Sequence, residues 1–257
     1  MAMFDNLFSL SGKTALITGS SRGLGYIMAK GLGSVGAKIV LNGRNEERLE
    51  KAVNQLRKEG FNVDGYSFDI TKKQEIDEKI SLIEKEIGSI DILVNNAGIQ
   101  KRALLIEMKE SSWREVIETN LTGAFLVSQQ VAKGMIKRKS GKIINICSLQ
   151  SELGRETIAP YAAAKGGLKM LTKAMTVEWA KYNIGINGIG PGYFITEMTK
   201  PLAKNKKFDQ WLKNRTPAHR WGNPEELIGT IVFLSSKASD FINGQIIYVD
   251  GGILSSI

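Results

Sequence analysis

Tyr161 and Lys165 stand four residues apart, in the run Tyr161-Ala162-Ala163-Ala164-Lys165. On a helix that spacing puts both side chains on one face, one turn apart. A free phenol, with a pKa of about 10, is a poor proton acceptor at neutral pH. A neighbouring ammonium stabilises the phenolate, so the pair is expected to act as a tuned acid and base. Ser148 precedes Tyr161 by thirteen residues, at the end of a β-like run. Its hydroxyl is placed to hold a substrate oxygen beside the phenol. Taken singly, each residue also has a structural reading: a helix-start aromatic, a solvated charge, a strand-end polar group. A binding site for a second reactant would turn the three into a reaction centre.

Such a site is written near the N-terminus. The first β-like run ends in Thr18-Gly19-Ser20-Ser21-Arg22-Gly23-Leu24-Gly25, and a helical pattern follows. Glycines at a strand-to-helix turn let the backbone approach a pyrophosphate, and the helix N-terminus offers free N–H groups. The spacing is G-x-x-x-G-x-G, so the reading rests on position after the first strand of a βαβ unit. A tight turn without a ligand is the plain alternative. The second run ends Leu41-Asn42-Gly43-Arg44, with no acid before Glu46. An acid there would hold a ribose 2′-hydroxyl, whereas an arginine accommodates a 2′-phosphate. Arg44 and Arg22 therefore favour NADP(H), with NAD(H) still possible, because a planar guanidinium suits phosphate. Otherwise they are two surface arginines.

The elements that must position these groups follow from the hydrophobic pattern. Short β-like runs cover Thr14–Thr18, Lys38–Leu41, Val63–Phe68, Ile90–Val94, Lys142–Ile146, Gly185–Ile189 and Gln245–Val249. Several are nearly continuous Ile, Leu and Val, as in strands buried on both faces. Helical patterns alternate with them at Gly25–Val35, Asn45–Glu59, Lys73–Ile87, Trp113–Lys137, Tyr161–Tyr182 and Pro224–Leu234. Asn45 and Thr71 are the expected N-caps of two of these. The alternation predicts one α/β domain over residues 1–257: a Rossmann-like, doubly wound, seven-stranded parallel sheet with helices on both faces. Gln100–Ser112 and Tyr193–Trp221 fit neither period. Each follows the C-terminal end of a strand, where open α/β sheets bind ligands. The second, at about 193–221, reads as a flap over the substrate.

Composition narrows the classes. Of 257 residues, 42% are apolar and 24% charged, as in an ordinary globular chain. One cysteine, Cys147, excludes an intramolecular disulfide, and one histidine, His219, leaves no zinc cluster. Met1 to Lys13 lacks a secretory pattern, and no apolar run is long enough to span a bilayer. A cytoplasmic protein without a membrane partner is expected. The net charge of +9 is spread among acids, without a basic stripe interleaved with aromatics, so no nucleic-acid partner is expected.

These motifs together resemble the short-chain dehydrogenase/reductase family along the whole chain. The matching residues are the glycine turn, Asp69, Asn95-Asn96-Ala97-Gly98, Asn120, Ser148, Tyr161-x-x-x-Lys165 and Pro191-Gly192 with Thr196. The resemblance implies an oxidoreductase in which Asn120, Ser148, Tyr161 and Lys165 are catalytic. It implies that Gly19, Ser21, Arg22, Gly23, Leu24, Gly25 and Arg44 meet the phosphates. Asp69 and Ile70 would meet the adenine. Asn95, Ala97 and Gly98 would line the adenosine ribose and brace the sheet. Tyr161 and Lys165 would meet the nicotinamide ribose, and Pro191, Gly192, Ile195 and Thr196 the carboxamide and diphosphate. Asn120 would hold a water that links Lys165 to solvent. The family also implies homodimers paired into a homotetramer through the segments Trp113–Lys137 and Tyr161–Tyr182.

The substrate must be read from residues outside these motifs. Lys101 and Arg102 follow the fourth run; Gln150, Ser151, Glu152 and Arg155 follow the fifth. That polar, cationic set suits a sugar acid, with Arg102 or Arg155 on its carboxylate and Ser148, Gln150 and Tyr161 on its oxygens. Exposed rim charges are the alternative for the arginines. A 3-ketoacyl or 3-hydroxyacyl reductase shares every core motif. A nucleotide-sensing scaffold of the same fold would need none of the four catalytic residues.

Overall fold

The computed structural model describes residues 6–197 and 199–256. Met1–Asp5 of the N-terminal stretch, Met198 of the flap and Ile257 lie outside the described residues. Seven strands form one sheet: β1 (Thr14–Ile17), β2 (Lys38–Asn42), β3 (Val63–Tyr66), β4 (Ile92–Asn95), β5 (Gly141–Ile146), β6 (Ile184–Pro191) and β7 (Ile246–Val249). Every pairing is parallel, in the order β3-β2-β1-β4-β5-β6-β7. The expected doubly wound fold is therefore present.

Alternation along the buried strands builds two cores. Ala15, Ile17, Ile39, Leu41, Ile92 and Val94 face helices α1 (Gly23–Ser34), α2 (Glu46–Lys58) and α9 (Ile228–Ser235). Their neighbours Leu16, Val40, Leu93, Ile143 and Ile186 face α3 (Lys73–Glu86), α5 (Gly123–Arg138) and α6 (Ala159–Trp179). Each fully buried Val, Leu or Ile among them contributes about 1.5–3 kcal/mol. α2 shows why the local sequence folds as it does. Asn45 caps it by accepting from Arg48 N–H at 2.7 Å. Glu46 and Glu47 sit in its first turn and Arg57 and Lys58 in its last, matching the helix dipole. Leu49, Ala52, Val53 and Leu56 form its buried stripe.

Two local expectations are corrected. Thr71 does not cap α3: Lys72 holds that position, and the Thr71 hydroxyl donates to Asp69 Oδ1 at 2.9 Å. Trp113–Lys137 is not one regular helix. α4 (Glu110–Ile117) and α5 are joined by a π turn at Glu118–Thr122, which contains Asn120. Inside a regular pattern such a widened turn usually marks a functional position.

The described residues of 193–221 pack on one another. The segment carries α7 (Lys200–Lys204) and α8 (Lys206–Arg215), and a bridge from Phe194 to Gly222 closes its base. Trp221 Nε1 donates to Asp209 at 2.7 Å, and Tyr193 meets Phe208, Trp211 and Trp221 edge-on. Among the described residues, no helix is long and apolar enough to cross a membrane.

Candidate active site

The strand order reverses at β1, which pairs with β2 on one side and β4 on the other. The crevice beyond their C-terminal ends is where open α/β sheets bind ligands. Gly19 and Gly23 adopt φ of +61° and +62°, a region that disfavours side chains. A Cβ on Gly19 would sit 2.7 Å from Ala97 Cα, whereas one on Gly23 would enter open space. The turn is thus pressed against the β4 loop on one side and open on the other. α1 begins here with no acid in its first turn and no capping side chain, so its first N–H groups remain available to an anion. These features fit a dinucleotide pyrophosphate.

Two residues missed as functional hold this turn in place. Asn96 Nδ2 donates to the carbonyls of Thr18 and Gly19, both at 2.9 Å. Asn42 Oδ1 accepts from Gly19 N–H at 3.3 Å, while its amide reaches Tyr66 and Phe68 carbonyls. Their signal was a polar side chain at the end of an otherwise apolar strand. Arg44 pairs with Asp69 at 3.5 Å, and Arg22 reaches Glu197 of the 193–221 segment at 3.6 Å. Both guanidiniums are more than half exposed, so neither pair is a strong tie. Asn95 takes the sheet-bracing place that the resemblance implies. Its side chain is buried and donates to Ser128 Oγ and Asn145 Oδ1, both at 2.8 Å, so it braces β4 against β5 and α5. Gly192 lies beneath the other wall, where a Cβ would come 2.7 Å from Asp250 Cα.

β5 ends at Ile146, and a single 3-10 turn, Leu149–Ser151, follows with Ser148 as its N-cap. α6 then brings Tyr161 and Lys165 back to this strand end, one helical turn apart as their spacing predicts. Lys165 is 4% exposed; its ammonium donates to the Ile146 carbonyl and lies 5.7 Å from the Tyr161 ring centroid. Burial lowers its pKa to about 8. Burial also raises the Tyr161 phenol, more than its hydrogen bond with Ser148 lowers it. In the protein alone, desolvation of the half-buried ring dominates. The Ser148 hydroxyl donates to Gln150 Oε1 at 2.7 Å. Asn120 is buried in the π turn, where its side chain exchanges two hydrogen bonds with Ile99, 2.8 Å from N–H and 2.9 Å to the carbonyl.

The two arginines assigned to the substrate converge. Ala103 N–H donates to the Thr157 carbonyl at 3.1 Å, joining the loops after β4 and β5 that carry them. Thr157 takes φ +70°, an unusual conformation for a β-branched residue, at this junction. Arg155 donates to Tyr193 Oη at 2.9 Å and lies 4.9 Å from the Phe208 ring centroid. Burial, with the like charge of Arg155, lowers the pKa of Arg102. Among the described residues fifteen ion pairs are formed, and neither guanidinium is paired with a carboxylate. Tyr193 was not singled out from sequence, because nothing in the Pro191-Gly192-Tyr193 run reveals its partner across the mouth.

Residues 13–207 match the family described as short chain dehydrogenase. The chain belongs to the short-chain dehydrogenase family. Its parallel sheet, glycine turn and Ser148–Tyr161–Lys165 arrangement are what that membership leads one to find. The chain is 56% identical over 253 residues to 5-keto-D-gluconate 5-reductase of Escherichia coli strain K12, covering 98% of this chain and 100% of that relative. It is 54% identical to 2-dehydro-3-deoxy-D-gluconate 5-dehydrogenase of Formosa agariphila, covering 99% and 97%. A solved gluconate 5-dehydrogenase from Burkholderia cenocepacia, in complex with NADP and tartrate, superposes with a TM-score of 0.96 at 50% identity, covering 99% and 100%.

Proposed function

We propose that this short-chain dehydrogenase interconverts D-gluconate and 5-keto-D-gluconate with NADP(H), by redox chemistry at C5. The observation that carries the reading is the pair of carboxylate-free guanidiniums, Arg102 and Arg155, brought together by the loops that follow β4 and β5. A sugar acid offers one carboxylate for that pair and hydroxyls for Gln150. The Escherichia and Formosa relatives support it, since both names place the reaction at carbon 5 of a gluconate skeleton. NADP(H) is favoured over NAD(H) because Arg22 and Arg44 flank the adenosine end and β2 ends without an acid. The Burkholderia relative, captured with NADP and the hydroxy diacid tartrate, agrees.

The bound dinucleotide supplies the hydride for the carbonyl, or takes it from the alcohol. The glycine turn and the first N–H groups of α1 hold its phosphates, Asp69 and Ile70 its adenine. Ala97, Gly98, Pro191, Gly192, Ile195 and Thr196 line the rest of its path. In reduction, Ser148 turns its hydroxyl from Gln150 to the substrate oxygen, and Tyr161 donates the proton. Lys165 holds the phenolate charge and returns a proton through water. With its side chain engaged by Ile99, Asn120 offers that water its main-chain carbonyl. Oxidation reverses each step. The assembly that goes with this reading is a homotetramer of homodimers; Phe125 on α5 and Met170 and Val177 on α6 leave apolar surface exposed for it.

Replacing Arg155 tests the anchor. A hydrogen bond to a charged group is worth about 1.5–3 kcal/mol. Arg155→Ala is therefore expected to lower kcat/KM for 5-keto-D-gluconate about tenfold or more, chiefly through KM. A neutral polyhydroxy ketone such as fructose should change by less than about twofold. Equal effects on both substrates would remove the carboxylate anchor.

A further inference from the structure

Ser151 lies three residues beyond Ser148, and its hydroxyl joins two main-chain groups that belong to different elements. Its Oγ accepts from the Ser148 N–H at 3.3 Å and donates to the Lys165 carbonyl at 2.9 Å. The 3-10 turn it closes has one turn only, too short to hold its own shape. Within the turn, Ser148 Oγ accepts from Gln150 N–H at 3.3 Å, so the two serines cap reciprocally. Lys165 is consequently tied to one short stretch of chain at both of its ends. Its ammonium reaches the carbonyl of Ile146, two residues before Ser148, and its own carbonyl takes the Ser151 hydroxyl.

We propose that Ser151 is a positioning residue that sets the distance between the Ser148 hydroxyl and the Tyr161–Lys165 pair. The proposal rests on the reading of Ser148, Tyr161 and Lys165 as the reacting set. Ser148 must point its hydroxyl at the same oxygen that Tyr161 addresses, yet one side chain comes from a loop and the other from a helix. Burial of the helix against the sheet fixes the two elements only coarsely. The Ser151 hydroxyl is the direct polar link between the Ser148 backbone and the Lys165 backbone, and it also reaches the Cys147 thiol. An alanine at this position leaves the Ser148 N–H and the Lys165 carbonyl without their shared partner, and the turn is free to drift.

A second joint between the same loop and helix separates positioning from general docking. Lys169, one turn beyond Lys165, forms an ion pair with Glu152 at 2.6 Å, and Tyr248 donates to Glu152 at 2.7 Å. That joint ties loop, helix and β7 together but touches none of the reacting side chains. Loss of the Ser151 link should alter turnover, and loss of the Lys169 link should alter stability.

The experiment compares Ser151→Ala, Ser151→Thr, Lys169→Met and Tyr161→Phe with the wild type, using 5-keto-D-gluconate and NADPH. Active sites are counted by NADPH fluorescence titration, so that kcat refers to folded sites only. Misplacement of reacting groups by about 1 Å can cost about two orders of magnitude. Ser151→Ala is expected to lower kcat about tenfold, with KM for both reactants within about twofold of wild type. Ser151→Thr, which keeps the hydroxyl, should recover most of that loss. Lys169→Met should lower Tm but keep kcat. Wild-type kcat in Ser151→Ala, no recovery in Ser151→Thr, or an equal kcat loss in Lys169→Met would each overturn the proposal. Retained turnover in Tyr161→Phe would instead overturn the reading of the reacting set.

Discussion

Tyr161→Phe is expected to lower kcat for 5-keto-D-gluconate by about three orders of magnitude, within the range of a lost general acid. NADPH affinity should stay within about threefold, because the proposed binding mode rests the dinucleotide mainly on the glycine turn, α1 and the arginines. The substitution removes one oxygen and leaves the ring, so the half-buried wall above Lys165 persists. The effect should fall on kcat rather than on KM, the mark of an interaction made in the transition state. Stopped-flow or steady-state rates with a parallel NADPH titration measure both quantities. In the wild type the two directions should respond oppositely to pH. Reduction needs the protonated phenol and slows as pH rises; alcohol oxidation needs the phenolate and quickens.

Lys165→Met should combine a loss of activity with a gain of stability. The ammonium is desolvated under α6, and the folded protein gives up its proton near pH 8, against 10.5 for an unburied lysine. Below pH 8 folded and unfolded chains both carry the charge, and the folded state bears the full cost of burying it, on the order of 3 kcal/mol. Between pH 8 and 10.5 the unfolded chain binds more protons than the folded one, so wild-type stability rises with pH across that window. A methionine carries no such cost. The Tm of Lys165→Met should therefore exceed that of the wild type by several degrees at pH 7, and the gap should close toward pH 10.5. Its kcat should fall at least about a hundredfold, because the phenolate loses its counter-charge and its route to solvent. Thermal melts across pH and initial rates at pH 7 check both halves. A variant of unchanged stability at pH 7 would mean that the Ile146 carbonyl fully offsets the desolvation.

Much of the architecture was legible because its signals are local. Ile39, Val40 and Leu41 announce a strand buried on both faces, and the Asn45 cap with its acidic first turn announces α2. The Tyr161–Lys165 spacing fixes a shared helix face whatever surrounds it. Signals that depend on partners distant in sequence were harder to read. Asn96 pins the glycine turn across a separation of seventy-seven residues. Tyr193 meets Arg155 across thirty-eight. The π turn at Asn120 breaks a pattern that reads as one long helix, since a single extra residue per turn barely disturbs apolar periodicity. Burial of Tyr161 is of the same kind: spacing reveals the neighbouring ammonium but not the desolvation that raises the phenol in the protein alone. The Ser151 link was hidden too, because a serine in a loop carries no mark of the carbonyl it will find.

The central claim is C5 redox chemistry on a sugar acid with NADP(H). Its most direct test is the initial rate of 5-keto-D-gluconate reduction by the wild-type enzyme with NADPH and with NADH, with the product separated chromatographically from its C5 epimer. The account predicts D-gluconate as the product, with kcat/KM at least about tenfold higher for NADPH, as expected if Arg22 and Arg44 meet the 2′-phosphate. No reduction of 5-keto-D-gluconate with either cofactor, alongside brisk reduction of an acyl or neutral ketone, would contradict it.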